Sequence, residues 1–265
     1  MRVALVGYGR MGKLIESLLE SRGHSVSVVV DPQLPHTEEL NRPDSQGTRR
    51  APKLNAALLS ETDVVIEFSL ADAVVPNAQL YAETGTPAVI GTTGWLEQLE
   101  QVEQIVDKAS IGLLYGANFS IGANLFFRAA AAAAALAAPF DEYDCMIHEM
   151  HHSGKKDSPS GTALTLAETV LEQLPSKRRI ETARLDRPPQ PDEIHVSSTR
   201  GGSVPGTHTL YLDSEADTIE VRHTARSRAG FALGAIRGAE WIAGKTGVYS
   251  VDAFIDDMLK ERNQV

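Results

Sequence analysis

The chain has 265 residues, enough for two modest domains that each bury a hydrophobic core. Its formal net charge of -10 argues against nucleic-acid binding, which needs a basic surface, but local cations can still hold an anionic substrate. The single cysteine, Cys145, excludes an internal disulfide and favours a reducing, cytoplasmic setting. No apolar run approaches the roughly 20 residues of a membrane span, so no membrane partner is expected.

The first half of the chain alternates short apolar strands with amphipathic helices. A strand over 2–6 runs through glycines into a helix over 13–22, which Gly23 ends, and a β-branched strand follows over 25–30. The stretch 35–52 is polar and broken by prolines, which predicts mostly loop. The next elements are a helix near 55–59, strand 63–68, helix 71–84, strand 87–90, helix 97–109 and strand 111–115. This alternation predicts a parallel sheet with helices on both faces.

The pattern changes after residue 120. A long helix over 121–138 is followed by an apolar strand over 143–150, and the stretch 176–191 is charged and rich in proline. The other predicted elements are helix 163–174, strands 195–200, 208–213 and 218–225, and helices 231–245 and 251–261. Strands separated only by turns predict an open mixed or antiparallel sheet, and hence a second domain.

The run Gly7-Tyr8-Gly9-Arg10-Met11-Gly12 fits G-x-G-x-x-G, follows a strand and opens a helix, and Asp31 lies nineteen residues beyond it. In this fingerprint the glycines allow a tight turn, close approach of a pyrophosphate and close helix packing, while the acid binds ribose hydroxyls. The alternatives are a glycine turn without a ligand and an aspartate that only caps the turn before a proline. Asp31 repels a 2′-phosphate and favours NADH, whereas Arg10 offsets that repulsion, so the cofactor is NADH, NADPH or both.

Further cofactor contacts are expected where predicted strands end, because ligands of open α/β sheets bind outside the carboxyl ends of the strands. A glycine with two hydroxyls can meet the nicotinamide or its ribose. The alternative is that these residues only form ordinary turns and bind no cofactor. The candidate residues are Phe68, Gly91, Thr92, Thr93, Gly116, Ala117, Asn118 and Phe119.

The segment 148–162, H-E-M-H-H-S-G-K-K-D-S-P-S-G-T, is the richest in chemistry. We expect no metal there, because no helical H-E-x-x-H arrangement is present and the neighbouring lysines repel a cation. A site for a small dicarboxylate explains the composition better, since Lys155 and His152 supply positive charge and donors and His151 can give a proton near neutral pH. Ser160, Gly161 and Thr162 precede a helix and form an anion cradle. The plain alternative is a solvated charged loop.

The run H-H-S-G-K-K-D-S-P-S-G-T resembles the H-H-x-x-K-x-D-x-P-S-G-T motif of dihydrodipicolinate reductases. The resemblance extends to G-Y-G-R-M-G, G-T-T-G and the segment 117–124, although the first glycine loop is one residue shorter than the common family form. It implies reduction by NADH or NADPH of a cyclic unsaturated dicarboxylic acid to tetrahydrodipicolinate, in lysine and diaminopimelate biosynthesis. His151 is then the proton donor, Lys155 a substrate-binding and acid-assisting group, and His152 with the 161–162 backbone the carboxylate site.

The resemblance also implies an α/β architecture of two domains. A Rossmann-type dinucleotide-binding domain covers residues 1–120 and is completed by 229–265, and an α+β substrate-binding and oligomerisation domain with an open mixed sheet covers 121–228. Family members are typically homotetramers built through that sheet. Two other functions fit the fingerprint alone: another two-domain dehydrogenase, such as one acting on an amino acid, and a nucleotide-sensing regulator without turnover.

Overall fold

The computed structural model describes residues 1–35 and 42–262, which form two compact units. The first unit comprises Met1–Ile121 with Ala229–Val265, and the second comprises Gly122–Arg228. In chain order the described strands are β1 (Arg2–Val6), β2 (Ser25–Val30), β3 (Arg49–Ala51), β4 (Val64–Glu67), β5 (Ala88–Ile90), β6 (Gly112–Tyr115), β7 (Asp144–His151), β8 (Arg179–Glu181), β9 (Glu193–Arg200), β10 (Thr207–Asp213), β11 (Thr218–Thr224) and β12 (Gly247–Ser250). The α-helices are α1 (Arg10–Leu19), α2 (Val74–Thr84), α3 (Leu99–Ala109), α4 (Ile121–Ala137), α5 (Gly161–Leu171), α6 (Ala229–Ile242) and α7 (Val251–Arg262).

The first unit is built on a seven-stranded sheet in the order β12-β6-β5-β4-β1-β2-β3, in which every pair is parallel. Its central strands, such as β4 and β5, are buried on both faces, as expected for parallel strands between helices. On one face Val3 and Leu5 pack with α1, α6 and α7, and on the other Ala4 and Val6 pack with α2 and α3. The sheet therefore brings the residues that follow β1, β4, β5 and β6 to one edge.

The second unit is built on a five-stranded mixed sheet in the order β11-β10-β7-β9-β8. The strand β7 lies at its centre, antiparallel to β10 and parallel to β9. Alternate residues such as Cys145 and Ile147 face a core shared with α4 and α5, while Met146 points away and is 44% exposed. Helices thus cover one face of the sheet, and the predicted α/β fold with an open mixed second sheet is confirmed.

The short strands β3, β8 and β12 are the main difference from the sequence prediction. Two of them fall in segments predicted as loop or as charged and proline-rich, and the third lies in a gap between two predicted helices. Each lies at the edge of a sheet and has three or four residues, so it needs little apolar sequence of its own. The predicted helix at 55–59 is a 3₁₀ turn over Ala56–Leu59, and part of the predicted loop 35–52 lies outside the described residues.

The alanine-rich helix α4 is a core helix. Ala130 and Ala134 are fully buried against the second sheet, where small side chains let the helix approach closely. Among the described helices, none is both long and apolar enough to span a membrane.

We predict that Gly234→Ala destabilises the first unit. A Cβ atom there would lie 1.7 Å from the backbone oxygen of Phe119, so α6 must shift, although alanine normally favours a helix. We expect the free energy of unfolding to fall by about 2 kcal/mol in denaturant titrations. Leu233→Ala, at a position that is 36% exposed on the same helix, is the control. An unchanged or increased stability of the glycine variant contradicts the close approach.

Candidate active site

The glycine-rich turn after β1 has the geometry of a phosphate cradle. Gly7 has φ +89°, and a Cβ atom there would lie 2.1 Å from the backbone oxygen of Phe68. A Cβ at Gly12 would lie 2.3 Å from the Gly7 oxygen, whereas nothing lies within 4 Å of a Cβ at Gly9. Gly9 is also the N-cap of α1, and none of the described side chains caps that helix. The first-turn N–H groups are therefore presented to an anion, which fits the dinucleotide pyrophosphate.

Asp31, directly after β2, holds this turn in place. Its Oδ2 accepts a hydrogen bond of 2.7 Å from the backbone N–H of Tyr8, and its Oδ1 accepts one of 2.8 Å from the N–H of Gln33. Asp31 therefore caps this turn, which is the alternative role that the sequence left open for it. It does not compete with a ribose contact, because each carboxylate oxygen can accept a second hydrogen bond.

Tyr8 belongs to a charged cluster beside the same turn. The Arg50 guanidinium, from the unpredicted strand β3, lies 5.2 Å from the centroid of the Tyr8 ring, and its Nη2 is 3.0 Å from Glu16 Oε1. The Tyr8 hydroxyl also bonds to Glu16, and Lys13 lies 5.7 Å from the same ring. Burial raises the pKa of Tyr8, and the Glu16 hydrogen bond adds to this, so the phenol stays neutral.

The other candidate cofactor residues follow β4, β5 and β6. A Cβ at Gly91 would lie 2.1 Å from the Phe68 ring, so a glycine is needed there, and the Phe68 ring meets Phe119 edge to face at 6.3 Å. The Thr92 hydroxyl accepts a hydrogen bond of 2.8 Å from the backbone N–H of Ser69, which joins two of these turns.

The candidate cofactor residues differ in their exposure to solvent. Thr93 and Ala117 are exposed, and Gly116 is packed so closely that a Cβ would lie 2.5 Å from Val251. Asn118 accepts a hydrogen bond of 2.9 Å from the N–H of Ser120, which shapes the turn before α4. The sheet thus collects the predicted cofactor residues at one edge.

In the second unit, the strand β7 and the N-terminus of α5 bring the motif residues together. His151 ends β7 and is buried, while Ser160 is the N-cap of α5 and accepts a hydrogen bond of 3.2 Å from Ala163 N–H. Gly161 and Thr162 form the first turn of that helix, whose positive N-terminus favours a negative charge.

Lys155 and His152 lie on the loop between these elements. The Lys155 ammonium forms an exposed pair with Asp157 at 2.9 Å, and backbone hydrogen bonds join His152 to Val204 and Lys155 to His152. The loop is therefore held by backbone contacts. Among the described residues, the Lys155 ammonium pairs with this one solvated carboxylate, a weak contact that another anion can replace.

Glu149 lies at the centre of this cluster and is fully buried. Its Oε1 accepts hydrogen bonds from Arg200 Nη2 at 2.6 Å and from Ser160 N–H at 3.1 Å, and its Oε2 lies 2.6 Å from His151 Nδ1. Burial alone would raise the pKa of this carboxyl, but Arg200, the neighbouring Ser198 hydroxyl, the Ser160 N–H and His151 together bring it to about 2. Glu149 is therefore a carboxylate at every physiological pH.

Two histidines face this carboxylate. Burial lowers the pKa of His151, while Glu149 raises it and Lys155 lowers it. His208, on β10, packs edge-on against the His151 ring at 5.1 Å, and its Nε2 lies 3.1 Å from Ser160 Oγ. Burial, with the neighbouring His151, lowers the pKa of His208 to about 4, so it is neutral near pH 7.

Glu149, His151 and His208 each offer one ligand-type atom, and these atoms lie within 4.8 Å of one another. The arrangement is that of a carboxylate paired with an imidazole. Glu149 Oε2 and His151 Nδ1 are 2.6 Å apart. Two ligand atoms that each lie about 2 Å from a tetrahedral zinc ion are further apart than this. Arg200 moreover occupies the other carboxylate oxygen, and its charge repels a cation.

Sequence reasoning missed Glu149, Arg200 and His208. It gave Glu149 no chemical role, although strand alternation places Glu149 on the same face as His151, two residues further on. Arg200 and His208 come from β9 and β10, 38 and 46 residues beyond Thr162, and the pairing of these strands with β7 brings them to the site.

The comparisons agree with this architecture. A family model for the N-terminus of dihydrodipicolinate reductase matches residues 1–119, and one for its C-terminus matches residues 122–255. A 4-hydroxy-tetrahydrodipicolinate reductase from Christiangramia forsetii is 37% identical over 98% of this chain and 100% of its own length. One from Archaeoglobus fulgidus is 35% identical over 97% of this chain and 100% of its own length.

A solved structure shows the same fold. The dipicolinate-bound dihydrodipicolinate reductase from Paenisporosarcina sp. TG-14 superposes with a TM-score of 0.76 at 25% identity, covering 95% of this chain and 98% of that one. Fold and glycine fingerprint define an oxidoreductase that depends on NADH or NADPH. With both family models matched, the chain belongs to the dihydrodipicolinate reductase family, and the resemblance seen in its motifs is confirmed.

We predict that Arg200→Met destabilises the protein in a pH-dependent way. The change leaves Glu149 buried without its main partner, which costs roughly 3 kcal/mol near pH 7. In the native chain the pKa of Glu149 is about 2, below its unfolded value of about 4.3, so its contribution is present above the unfolded value and lost as pH falls towards 2. The variant lacks this contribution, so the two stability curves should converge below about pH 4.

The measurement is the free energy of unfolding between pH 2 and pH 8. Arg2→Met is the control, because this arginine is 40% exposed and its partner Glu61, at 2.7 Å, is 56% exposed, so the pair contributes little to stability. Parallel curves for the native chain and Arg200→Met would contradict a buried charged pair at Glu149.

Proposed function

We propose that this chain reduces a cyclic unsaturated dicarboxylic acid to tetrahydrodipicolinate with NADH or NADPH, in lysine and diaminopimelate biosynthesis, and that His151 is the proton donor. The observation that carries the proposal is the grouping, around one buried carboxylate, of an ionisable histidine and a helix N-terminus that suits an anion. The first unit is then the dinucleotide-binding domain, and the second binds substrate.

The residues of the first unit fit a dinucleotide. Gly7, Gly9 and the N-terminus of α1 would hold the pyrophosphate, and Asp31 would bind the adenosine ribose. The turns after β4, β5 and β6 would contact the nicotinamide half, through Phe68, Gly91, Thr92, Thr93, Gly116, Ala117, Asn118 and Phe119. When bound, the cofactor supplies the hydride that adds to one ring carbon.

The residues of the second unit fit a dicarboxylate. Lys155 and His152 would bind one carboxylate by charge and hydrogen bonds, and Ser160, Gly161 and Thr162 would receive a carboxylate at the start of α5. The relative from Paenisporosarcina sp. TG-14 is described as dipicolinate-bound, and dipicolinate is a ring with two carboxylates. That ligand has the chemistry proposed for the substrate here.

His151 would complete the reaction. Reduction of a ring double bond needs a proton on the carbon next to the one that takes the hydride, so that both together saturate the bond. Burial lowers the pKa of His151, and Glu149 opposes this by favouring the imidazolium form, which has a proton to give.

We also propose a cytoplasmic homotetramer. The support for the assembly is the second sheet, since the described helices pack on one of its faces and Met146 is exposed on the other. A second copy of this chain would cover that face.

The two competing functions give different outcomes in one assay. Cofactor oxidation is followed with the freshly generated ring substrate, aspartate and diaminopimelate side by side. Turnover with the ring substrate alone supports the proposal. Turnover only with an amino acid indicates another dehydrogenase, and cofactor binding without turnover indicates a nucleotide-sensing regulator.

We predict that His151→Gln lowers kcat by about 100-fold or more, because glutamine cannot donate a proton as a general acid. KM for substrate and cofactor should change little. The control is His148→Gln on the other face of β7, where the imidazole Nδ1 lies 2.9 Å from Ser197 Oγ. Full turnover of His151→Gln with the ring substrate would exclude His151 as the donor.

We predict that Asp31→Asn lowers KM for NADPH relative to KM for NADH by about tenfold, because it removes the negative charge that repels a 2′-phosphate. Asparagine keeps an oxygen that can accept the Tyr8 N–H hydrogen bond. Asp44→Asn is the control, since Asp44 caps its own turn by accepting from Gln46 and Thr48 N–H. An unchanged ratio of the two KM values means that Asp31 does not set cofactor preference.

A further inference from the structure

The carboxylate of Glu149 is placed to control the orientation of the His151 ring. Oε1 is engaged by Arg200 and by the Ser160 N–H, so Oε2 is left for His151. Oε2 and His151 Nδ1 lie 2.6 Å apart, and neither has another hydrogen-bonding partner among the described residues. Two lone pairs at this separation would repel, so a proton must lie between the two atoms.

The site of that proton decides which nitrogen is available for chemistry. Glu149 has a pKa of about 2, so the shared proton belongs to the imidazole and not to the carboxyl. In neutral His151 the proton then lies on Nδ1, and the proton added on ionisation lies on Nε2. Nε2 is therefore the atom that gains and loses a proton.

The backbone next to Nε2 is a glycine. A Cβ atom at Gly206 would lie 2.9 Å from His151 Nε2 and 3.2 Å from His151 Cδ2. Any side chain at this position would cover the nitrogen that the Nδ1 contact leaves for proton transfer. Gly206 thus keeps space beside Nε2.

We propose that Glu149 is the positioning residue of the reaction: it holds Nδ1–H of His151, so that Nε2 delivers the proton, and Gly206 keeps Nε2 uncovered. This inference rests on the proposed role of His151 as proton donor. Glu149 itself does not touch the reacting atoms in this scheme.

Charges from every neighbouring element act on His151. Glu149 of β7 favours the imidazolium form, whereas Lys155 of the following loop and Arg200 of β9 oppose it. His208 of β10 is neutral near pH 7, and His223 of β11 acts on His208 in turn. Because burial already lowers the pKa of His151, removal of the Glu149 charge should lower it further.

The first test is made on the unmodified enzyme. Nitrogen NMR of the protein labelled with ¹⁵N-histidine reports which ring nitrogen carries the proton, and the His151 signals are assigned as those missing from His151→Gln. We expect neutral His151 to carry its proton on Nδ1. A proton on Nε2 in the neutral form would overturn the proposal, whatever the stability of any Glu149 variant.

The second test is the pH profile of kcat for Glu149→Gln and Glu149→Asp. The acid form of His151 is required, so kcat is high below its pKa and falls as pH rises through it. In Glu149→Gln we expect kcat at pH 7 to fall at least about tenfold, and the pH at which activity declines to move lower, with both KM values little changed. Glu149→Asp, which keeps the charge, should restore the position of the decline.

The outcomes separate the two proposals. Loss of turnover in His151→Gln with an unshifted decline in Glu149→Gln would overturn the positioning role but leave the donor. Full turnover of His151→Gln would overturn the donor itself. Gly206→Ala should lower kcat with little change in the His151 tautomer, and full activity of that variant would contradict the role of Gly206.

Discussion

A fully buried carboxylate organises the second unit. Taking an ionised carboxylate out of water is costly unless hydrogen bonds and opposite charge replace the water, and Glu149 obtains these from separate parts of the chain. Arg200 comes from β9, the Ser160 N–H from the start of α5, and His151 from the end of β7 itself. Satisfying this one charge fixes the relative positions of three elements whose ends form the site.

The same strand supplies the core and the site because of the two-residue repeat of a β-strand. Cys145 and Ile147 face the helices and belong to the apolar core, and Glu149 and His151 continue the same face beyond it. The alternation that buries the core therefore also buries the Glu149–His151 pair, and the rigid packing of β7 between β10 and β9 limits its movement. A loop could not hold these two side chains at 2.6 Å with the same definition.

The sequence predicts those features that depend on residues close together in the chain. The fingerprint at Gly7 to Gly12 and the motif ending at Thr162 are contiguous runs, so their residue types alone indicated the chemistry and the family. The strands β3 and β8 are short edge strands whose sequences are polar, and their pairing is decided by neighbours far along the chain. Arg200 and His208 were missed for the same reason, since strand register places them beside the motif. Glu149 lies within the motif, but its role can be inferred only once the structure shows that it is buried and paired.

The balance of charges around His151 connects substrate binding with proton transfer in the proposed reaction. Burial, Lys155 and Arg200 all disfavour the imidazolium form, and Glu149 favours it. A dicarboxylate bound at Lys155 would neutralise one of the opposing charges and bring further negative charge near the ring, so binding raises the pKa of His151. Arg200, in contrast, is already paired with the buried Glu149 carboxylate. Lys155, whose pair with Asp157 is exposed, would therefore respond to a bound substrate in the proposed reaction. Arg200, whose pair with Glu149 is buried, would keep the positioning carboxylate in place.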